Sequence, residues 1–238
     1  MTDLLSVHLF RANDKMAELI QSDCRYLLVL ERFRIPLGFG NRSIAELCRI
    51  HGVDEYLFLL IVNSLRHPTG KLELQPDRIP VEGLLEFLRR THTYFIQYQL
   101  PLLREKLRAL IADSDPVNQS LLNDFFNKYE KEVIRHMRFE ENQVYPYMKS
   151  CYDGTASGKH DTTFFARHHN DIEQKINDLR NIIVKYLPPL DDVNAVNELL
   201  FALYQSEDDL NRHTHIEEQI LFPTMRYYES KMKANEQK

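Results

Sequence analysis

The sequence lacks tryptophan and holds few cysteines and glycines, and these absences exclude several classes of protein. Of 238 residues, 7 are glycine and 3 are cysteine. Collagen-like chains need far more glycine, and a disulfide framework needs more cysteine. Cys24, Cys48 and Cys151 are odd in number and widely spaced. We therefore expect free thiols in a reducing compartment, and hence a cytoplasmic protein.

Two further features are missing: an apolar run long enough to cross a bilayer, and an excess of positive charge. The first residues have no basic flank of the kind that begins a signal peptide, so we expect a soluble, unexported protein with no membrane partner. The chain has 30 Lys and Arg against 35 Asp and Glu, a net charge of -5. This balance argues against a nucleic-acid-binding surface.

What remains predicts an all-α protein with two domains. Prolines and a glycine between His67 and Pro80 interrupt two helical patterns. We predict a small helical domain over residues 1–78 and a larger domain over residues 79–238. The small domain has predicted helices at 14–22, 25–34, 44–51 and 55–66, the third with a capping box at Ser43. Long helices at 80–111, 116–149, 162–187 and 192–232, joined by polar loops, predict an up-down four-helix bundle.

A thirteen-residue motif occurs on the second and fourth bundle helices. It reads H-x3-E-E-(N/Q)-x-(V/L)-(Y/F)-P-x-M and begins at His136 and at His213. Positions i and i+4 of a helix share a face, so His136 lies beside Glu140 and His213 beside Glu217. Both pairs continue apolar stripes that face the core. Because buried carboxylates facing one another are costly, a bound cation is the expected solution.

The other two bundle helices each contribute a histidine to the same apolar stripe. These are His92 and His169; His168 is the alternative to His169 but continues a polar face. Imidazoles combined with two carboxylates suit iron or manganese better than a closed structural zinc site. The predicted metal ligands are His92, His136, Glu140, His169, His213 and Glu217. Glu141 and Glu218, one position further round, are expected to support ligands or to be solvated.

On these motifs the chain resembles the haemerythrin-like family, in which H-x3-E-E-x4-(F/Y)-P on two helices of a bundle holds a non-haem di-iron centre. Residues 25–35 and 43–48 resemble the small helical domain of the repair-of-iron-centres proteins, so the resemblance covers nearly the whole chain. It implies two non-haem iron ions, with Glu140 and Glu217 bridging them and the histidines as terminal ligands. It also implies a role in nitrosative or oxidative stress, through repair of iron–sulfur centres in client proteins.

Two departures from the family pattern bear on function. The turn Leu37–Gly40 has no thiol, whereas the repair proteins carry a Cys-Cys pair there. The family also tends to have a fifth histidine near the end of the first bundle helix, and residues 109–113 contain none. We therefore expect one iron to keep an exchangeable position for O2 or NO. A histidine introduced at Ala112 or Ile111 should slow the binding of NO and azide if it fills that position. The second interpretation is a module that senses or stores O2, NO or iron without repair activity.

A transcriptional role is the third interpretation, because residues 44–54 have the spacing of a helix-turn-helix with Gly52 in the turn. A recognition helix needs polar or basic side chains at its beginning. The helix that follows starts with Asp54 and Glu55 and then becomes apolar. It is suited to packing against the bundle or against a second copy of the chain, so a homodimer remains one alternative.

Overall fold

The computed structural model describes residues 9–70, 73–112, 114–156, 162–165, 170–186 and 192–236. These residues form helices, turns and one isolated antiparallel bridge between Lys15 and Ser43. The all-α prediction is confirmed. Along the described residues, no helix combines the length and the apolarity that crossing a bilayer requires.

The first four helices match the predicted ones closely. They are α1 (Met16–Ser22), α2 (Tyr26–Arg32), α3 (Ile44–His51) and α4 (Glu55–Arg66). Helix α3 begins with the expected capping box, in which Ser43 Oγ accepts from the backbone N–H of Glu46 and the Glu46 carboxylate accepts from that of Ser43. It ends at Gly52, whose φ of 65° is a left-handed conformation that glycine adopts without steric cost.

The bundle helices are interrupted by short π-helical segments. Their α-helical parts are α5 (Val81–Tyr94), α6 (Leu100–Ile111), α7 (Pro116–Phe139), α8 (Tyr145–Tyr152), α9 (Thr162–Phe165), α10 (Asn170–Tyr186), α11 (Val193–Ile216) and α12 (Phe222–Glu236). The π segments are Phe95–Gln99, Glu140–Val144 and Glu217–Leu221, which join α5 to α6, α7 to α8 and α11 to α12. Each of these three pairs of α-helical parts therefore continues through its π segment without a loop.

A proline explains the position of each π segment. Pro101, Pro146 and Pro223 each stand six residues after the first residue of a segment. Proline has no N–H to donate, and its ring clashes with the carbonyl four residues earlier in a regular α-helix. A wider turn with i to i+5 bonds gives the ring more room. Such π turns frequently occur at functional sites.

The chain forms two compact units, and three of the boundaries between them fall within the long helices, at residues 90, 148 and 214. One unit comprises residues 1–90, 149–156 and 215–238, of which the structure describes 9–70, 73–90, 149–156 and 215–236. In this unit α2 and α4 pack on the start of α5, because the ring of Phe33 lies 4.9 Å from that of Phe87 and 5.3 Å from that of Phe58. The predicted chain boundary between residues 78 and 79 stays a prediction.

The other unit comprises residues 91–148 and 157–214, of which the structure describes 91–112, 114–148, 162–165, 170–186 and 192–214. Buried apolar residues of α6, α7, α10 and α11 form a core cluster in this unit, and Phe126, Tyr129 and Val133 of α7 belong to it. Arg104 on α6 pairs with Glu130 on α7. These contacts build the predicted four-helix bundle.

Candidate metal centre

Four side chains converge in the bundle. His92 on α5, Glu140 in the second π segment, His213 on α11 and Glu217 in the third π segment each offer one ligand atom, and these atoms lie within 4.8 Å of one another. All four side chains are buried, with Glu140 2 % exposed and Glu217 fully buried. The predicted i, i+4 relation is preserved, since Glu217 follows His213 by about one helical turn.

Glu140 is surrounded by imidazoles. Its Oε1 lies 2.8 Å from Nε2 of His136 on the same helix, and its Oε2 lies 3.1 Å from Nε2 of His92. Nε2 of His213 is 3.6 Å from the same Oε2. One carboxylate therefore meets histidines from three helices, as a bridging ligand would.

The orientation of His92 is fixed from its outer side. Its Nδ1 lies 2.9 Å from Oε1 of Glu141, which is partly exposed. Because a carboxylate accepts hydrogen bonds, Nδ1 is the donor, and Nε2 points into the cluster. A carboxylate that holds the outer nitrogen of a metal-ligating histidine is a common feature of protein metal sites. Glu141 thus takes the supporting position that the sequence indicates, whereas Glu218 is exposed.

The pKa values of these groups show how strongly the groups interact with one another. Burial by itself would raise the pKa of Glu140, but hydrogen bonds from His136, His213 and His92 hold it well below its ordinary value. Burial lowers the pKa of His213 to about 3. It would also lower the pKa of His92, but hydrogen bonds to Glu140 and Glu141 raise it. A carboxylate held ionised beside a neutral imidazole is the protonation state that metal ligands need.

The donor set and its spacing fit a metal ion of the iron or manganese type. Two donors at right angles, each about 2.1 Å from one ion, lie about 3 Å apart. Nε2 of His92 is 3.2 Å from Nε2 of His213 and 3.1 Å from Oε2 of Glu140. Nitrogen and carboxylate ligands together suit iron and manganese. The described cluster contains no thiolate, which a structural zinc site would favour.

The structure describes some of the predicted metal ligands and not others. It brings His92, Glu140, His213 and Glu217 together and places His136 against Glu140. His169 and its alternative His168 lie outside the described residues. The ligand assignment as a whole therefore stays a prediction.

The position expected for a fifth histidine is wrong. Ala112 is exposed beyond the end of α6, twenty residues after His92 on one continuous helical run. A rise of about 1.5 Å per residue separates the two by about 30 Å along the helix. Lys106, six residues earlier, already pairs with Glu198, fifteen residues before His213. A histidine at Ala112 or Ile111 would not reach the cluster.

Sequence reasoning missed Tyr145. Its hydroxyl oxygen lies 3.1 Å from Nε2 of His92, and its buried ring stacks on that imidazole with centroids 5.6 Å apart. The signal was present in the repeated motif, where Tyr145 and Phe222 occupy the (Y/F) position before proline. In an α-helix a residue five positions after Glu140 faces away from it. The π segment turns Tyr145 back towards the Glu140 side.

A helical bundle with buried histidines and carboxylates defines a helical metal-binding protein, and comparison with known families agrees. The model of the hemerythrin HHE cation binding domain matches residues 83–225. This match covers more than half of the chain, so the chain belongs to the hemerythrin HHE family.

Individual relatives are more distant. The chain is 24% identical over 173 residues to the iron-sulfur cluster repair protein YtfE of Yersinia pseudotuberculosis, covering 69% of this chain and 77% of that protein. It is 20% identical over 188 residues to the iron-sulfur cluster repair protein ScdA of Staphylococcus haemolyticus, covering 77% and 84%. Both alignments cover more of this chain than the family match to residues 83–225 does.

Proposed function

We propose that this protein binds two non-haem iron ions and takes part in repair of iron–sulfur clusters damaged by nitrosative or oxidative stress. The observation that carries the proposal is the buried convergence of His92, Glu140, His213 and Glu217 in a chain of the hemerythrin HHE family. The names of its relatives YtfE and ScdA support the repair role. None of the three cysteines forms a disulfide, which supports a cytoplasmic location.

The residues have separate tasks in this proposal. Glu140 and Glu217 would hold the ions with their carboxylates, the histidines would bind with their imidazole nitrogens, and Glu141 holds the ring of His92. Iron in this site would supply one-electron redox change and binding of small ligands such as O2 or NO. All four converging side chains are buried, and Phe95 and Met137, three positions from His92 and Glu140 along their helices, belong to the buried apolar core, so the site lies away from bulk water.

Metal analysis is the first test. Protein purified without chelator after iron-replete expression should contain close to two irons per chain. One zinc per chain, with no iron, would contradict the proposal. The repair role is tested by mixing the iron-loaded protein with an apo iron–sulfur protein and following recovery of the cluster spectrum. A metal-free sample of the same protein is the control.

A second candidate is a module that binds O2, NO or iron without repairing clusters. One observation favours it: the turn Leu37–Gly40 carries no thiol, so the Cys-Cys pair of the repair proteins is absent there. The nearest exposed cysteine in sequence, Cys24, lies before α2. A protein that forms an iron–nitrosyl spectrum with NO but restores no cluster would support this candidate and reject the first.

A further inference from the structure

We propose that Tyr145 is a metal ligand in this protein and that its phenol oxygen binds one of the two ions as a phenolate. This inference rests on the proposed iron site, and it identifies a donor that neither the sequence pattern nor the family match assigns. Tyr145 would give the centre an oxygen ligand directly after the second π segment. The same position of the repeated motif on the fourth bundle helix is Phe222, whose side chain has no oxygen.

The first support is position. The hydroxyl oxygen of Tyr145 lies 3.1 Å from Nε2 of His92, the same separation that Oε2 of Glu140 has from that nitrogen. Nε2 of His213 lies 3.2 Å from it. Separations of about 3 Å are those of neighbouring donors around one ion. The phenol oxygen is therefore as near to Nε2 of His92 as the carboxylate oxygen of Glu140 is.

The second support is the way the ring is held. Tyr145 is fully buried, and its ring plane is only 17° from that of His92. The outer nitrogen of His92 is held by Glu141, so the imidazole cannot easily turn away from the hydroxyl. Ligands fixed by packing and by a supporting hydrogen bond hold a metal in a defined geometry.

The third support is local backbone geometry. In the second π segment the N–H of Tyr145 donates to the carbonyl of Glu140, an i to i+5 bond that places these two residues on successive turns. A regular α-helix would rotate residue i+5 by about 140° from residue i. The wider turn that Pro146 requires thus brings the phenol to the carboxylate's side.

The repeat makes the centre asymmetric. Phe222 occupies the equivalent position after the third π segment, where its N–H donates to the carbonyl of Glu217, and it is buried like Tyr145. Phenylalanine therefore fits the same local geometry but offers no oxygen. Phenolate is a hard anionic donor that suits ferric iron. On coordination the hydroxyl proton leaves to solvent, and the oxygen lone pair forms the bond to the ion.

The test is spectroscopic and uses the full chain, loaded with iron and oxidised with ferricyanide. A ferric phenolate gives a visible charge-transfer band and resonance-enhanced phenolate ring vibrations. We expect both in the wild type and neither in Tyr145→Phe. Tyr129→Phe is the matched control, because Tyr129 is a similarly buried tyrosine on α7 that belongs to the apolar core cluster. It should keep the band unchanged.

Metal content separates this proposal from the proposed function. If the wild type holds two irons but shows no phenolate band, or if Tyr145→Phe keeps the band, Tyr145 is not a ligand and the iron site still stands. If the wild type binds no iron, the proposed function itself fails. Should Tyr145→Phe not fold, ring-deuterated tyrosine in the wild type decides: the enhanced vibrations must shift on labelling. Unshifted vibrations would overturn the inference.

Discussion

Two adjacent glutamates provide a sharp test of which helix face binds metal. Glu217 is fully buried with a ligand atom in the cluster, whereas Glu218, the next residue, is exposed. Glu217→Gln removes an anionic ligand and keeps the side-chain volume. Glu218→Gln makes the same chemical change on the solvent side of the same turn. Any difference between the two variants therefore reports the position of the carboxylate.

The expected magnitude follows from linkage between binding and folding. Residues that only orient ligands contribute about 10–100-fold to metal affinity, so loss of a ligand should cost at least about 100-fold. With free metal at about 1,000 times Kd, binding stabilises the folded state by about 4.1 kcal/mol; at 10 times Kd the gain is about 1.4 kcal/mol. The difference of about 2.7 kcal/mol lowers Tm by about 5 °C for a chain of this length.

The assay is thermal unfolding with and without ferrous iron under anaerobic conditions, combined with a metal titration. In Glu217→Gln the metal-dependent rise in Tm should be about 5 °C smaller than in the wild type, while Glu218→Gln should stay within about 1 °C of the wild type, as surface substitutions do. Without metal, Glu217→Gln should be close in stability to the wild type, because glutamine has nearly the same volume as the buried glutamate. Equal effects of the two substitutions on the metal-bound protein would refute the face assignment.

Further predictions concern the outer support, a helix cap and the thiols. Glu141→Ala frees the ring of His92, so metal affinity should fall about 10–100-fold in a titration while the far-ultraviolet circular dichroism stays unchanged. Ser43→Ala removes the capping box and should cost about 1 kcal/mol, or about 2 °C in Tm. Burial raises the pKa of Cys48 to about 12 from 9.0. The folded state thus keeps a proton that the unfolded state releases, so the unfolding free energy should fall as the pH rises above about 9. At pH 8, iodoacetamide should modify Cys24 alone in the folded protein, and modification of buried thiols at a similar rate would contradict this.

The sequence determined the helical architecture because its signals are local. Helix-forming residues, the capping box at Ser43 and the polar breaks between periodic stretches fix where helices begin and end without reference to the rest of the chain. The bounds of α3 and α4 agree with those predicted. The repeated motif likewise fixed which face of each helix carries Glu140 and Glu217, since i, i+4 spacing is a property of the helix itself.

The tertiary structure decided which side chains on different helices lie close together. The sequence placed His92 on the right face, but only the packing of α5 against the second π segment shows that Glu141 holds its outer nitrogen. The expected fifth-histidine position failed for the same reason: its proximity to the site depends on which levels of antiparallel helices are adjacent. Lys106 beside Glu198 shows that the end of α6 is far from the cluster.

The π segments depend both on the sequence and on the tertiary structure. Pro146 and Pro223 are visible in the sequence, and proline predicts a disturbed helix. Whether the helix kinks, breaks or widens depends on the packing around it, and here it widens. That choice turns Tyr145 towards His92, a contact that no periodicity of 3.6 residues predicts. The sequence determined the residue types of the site, and the packing of the helices decided which of their atoms meet.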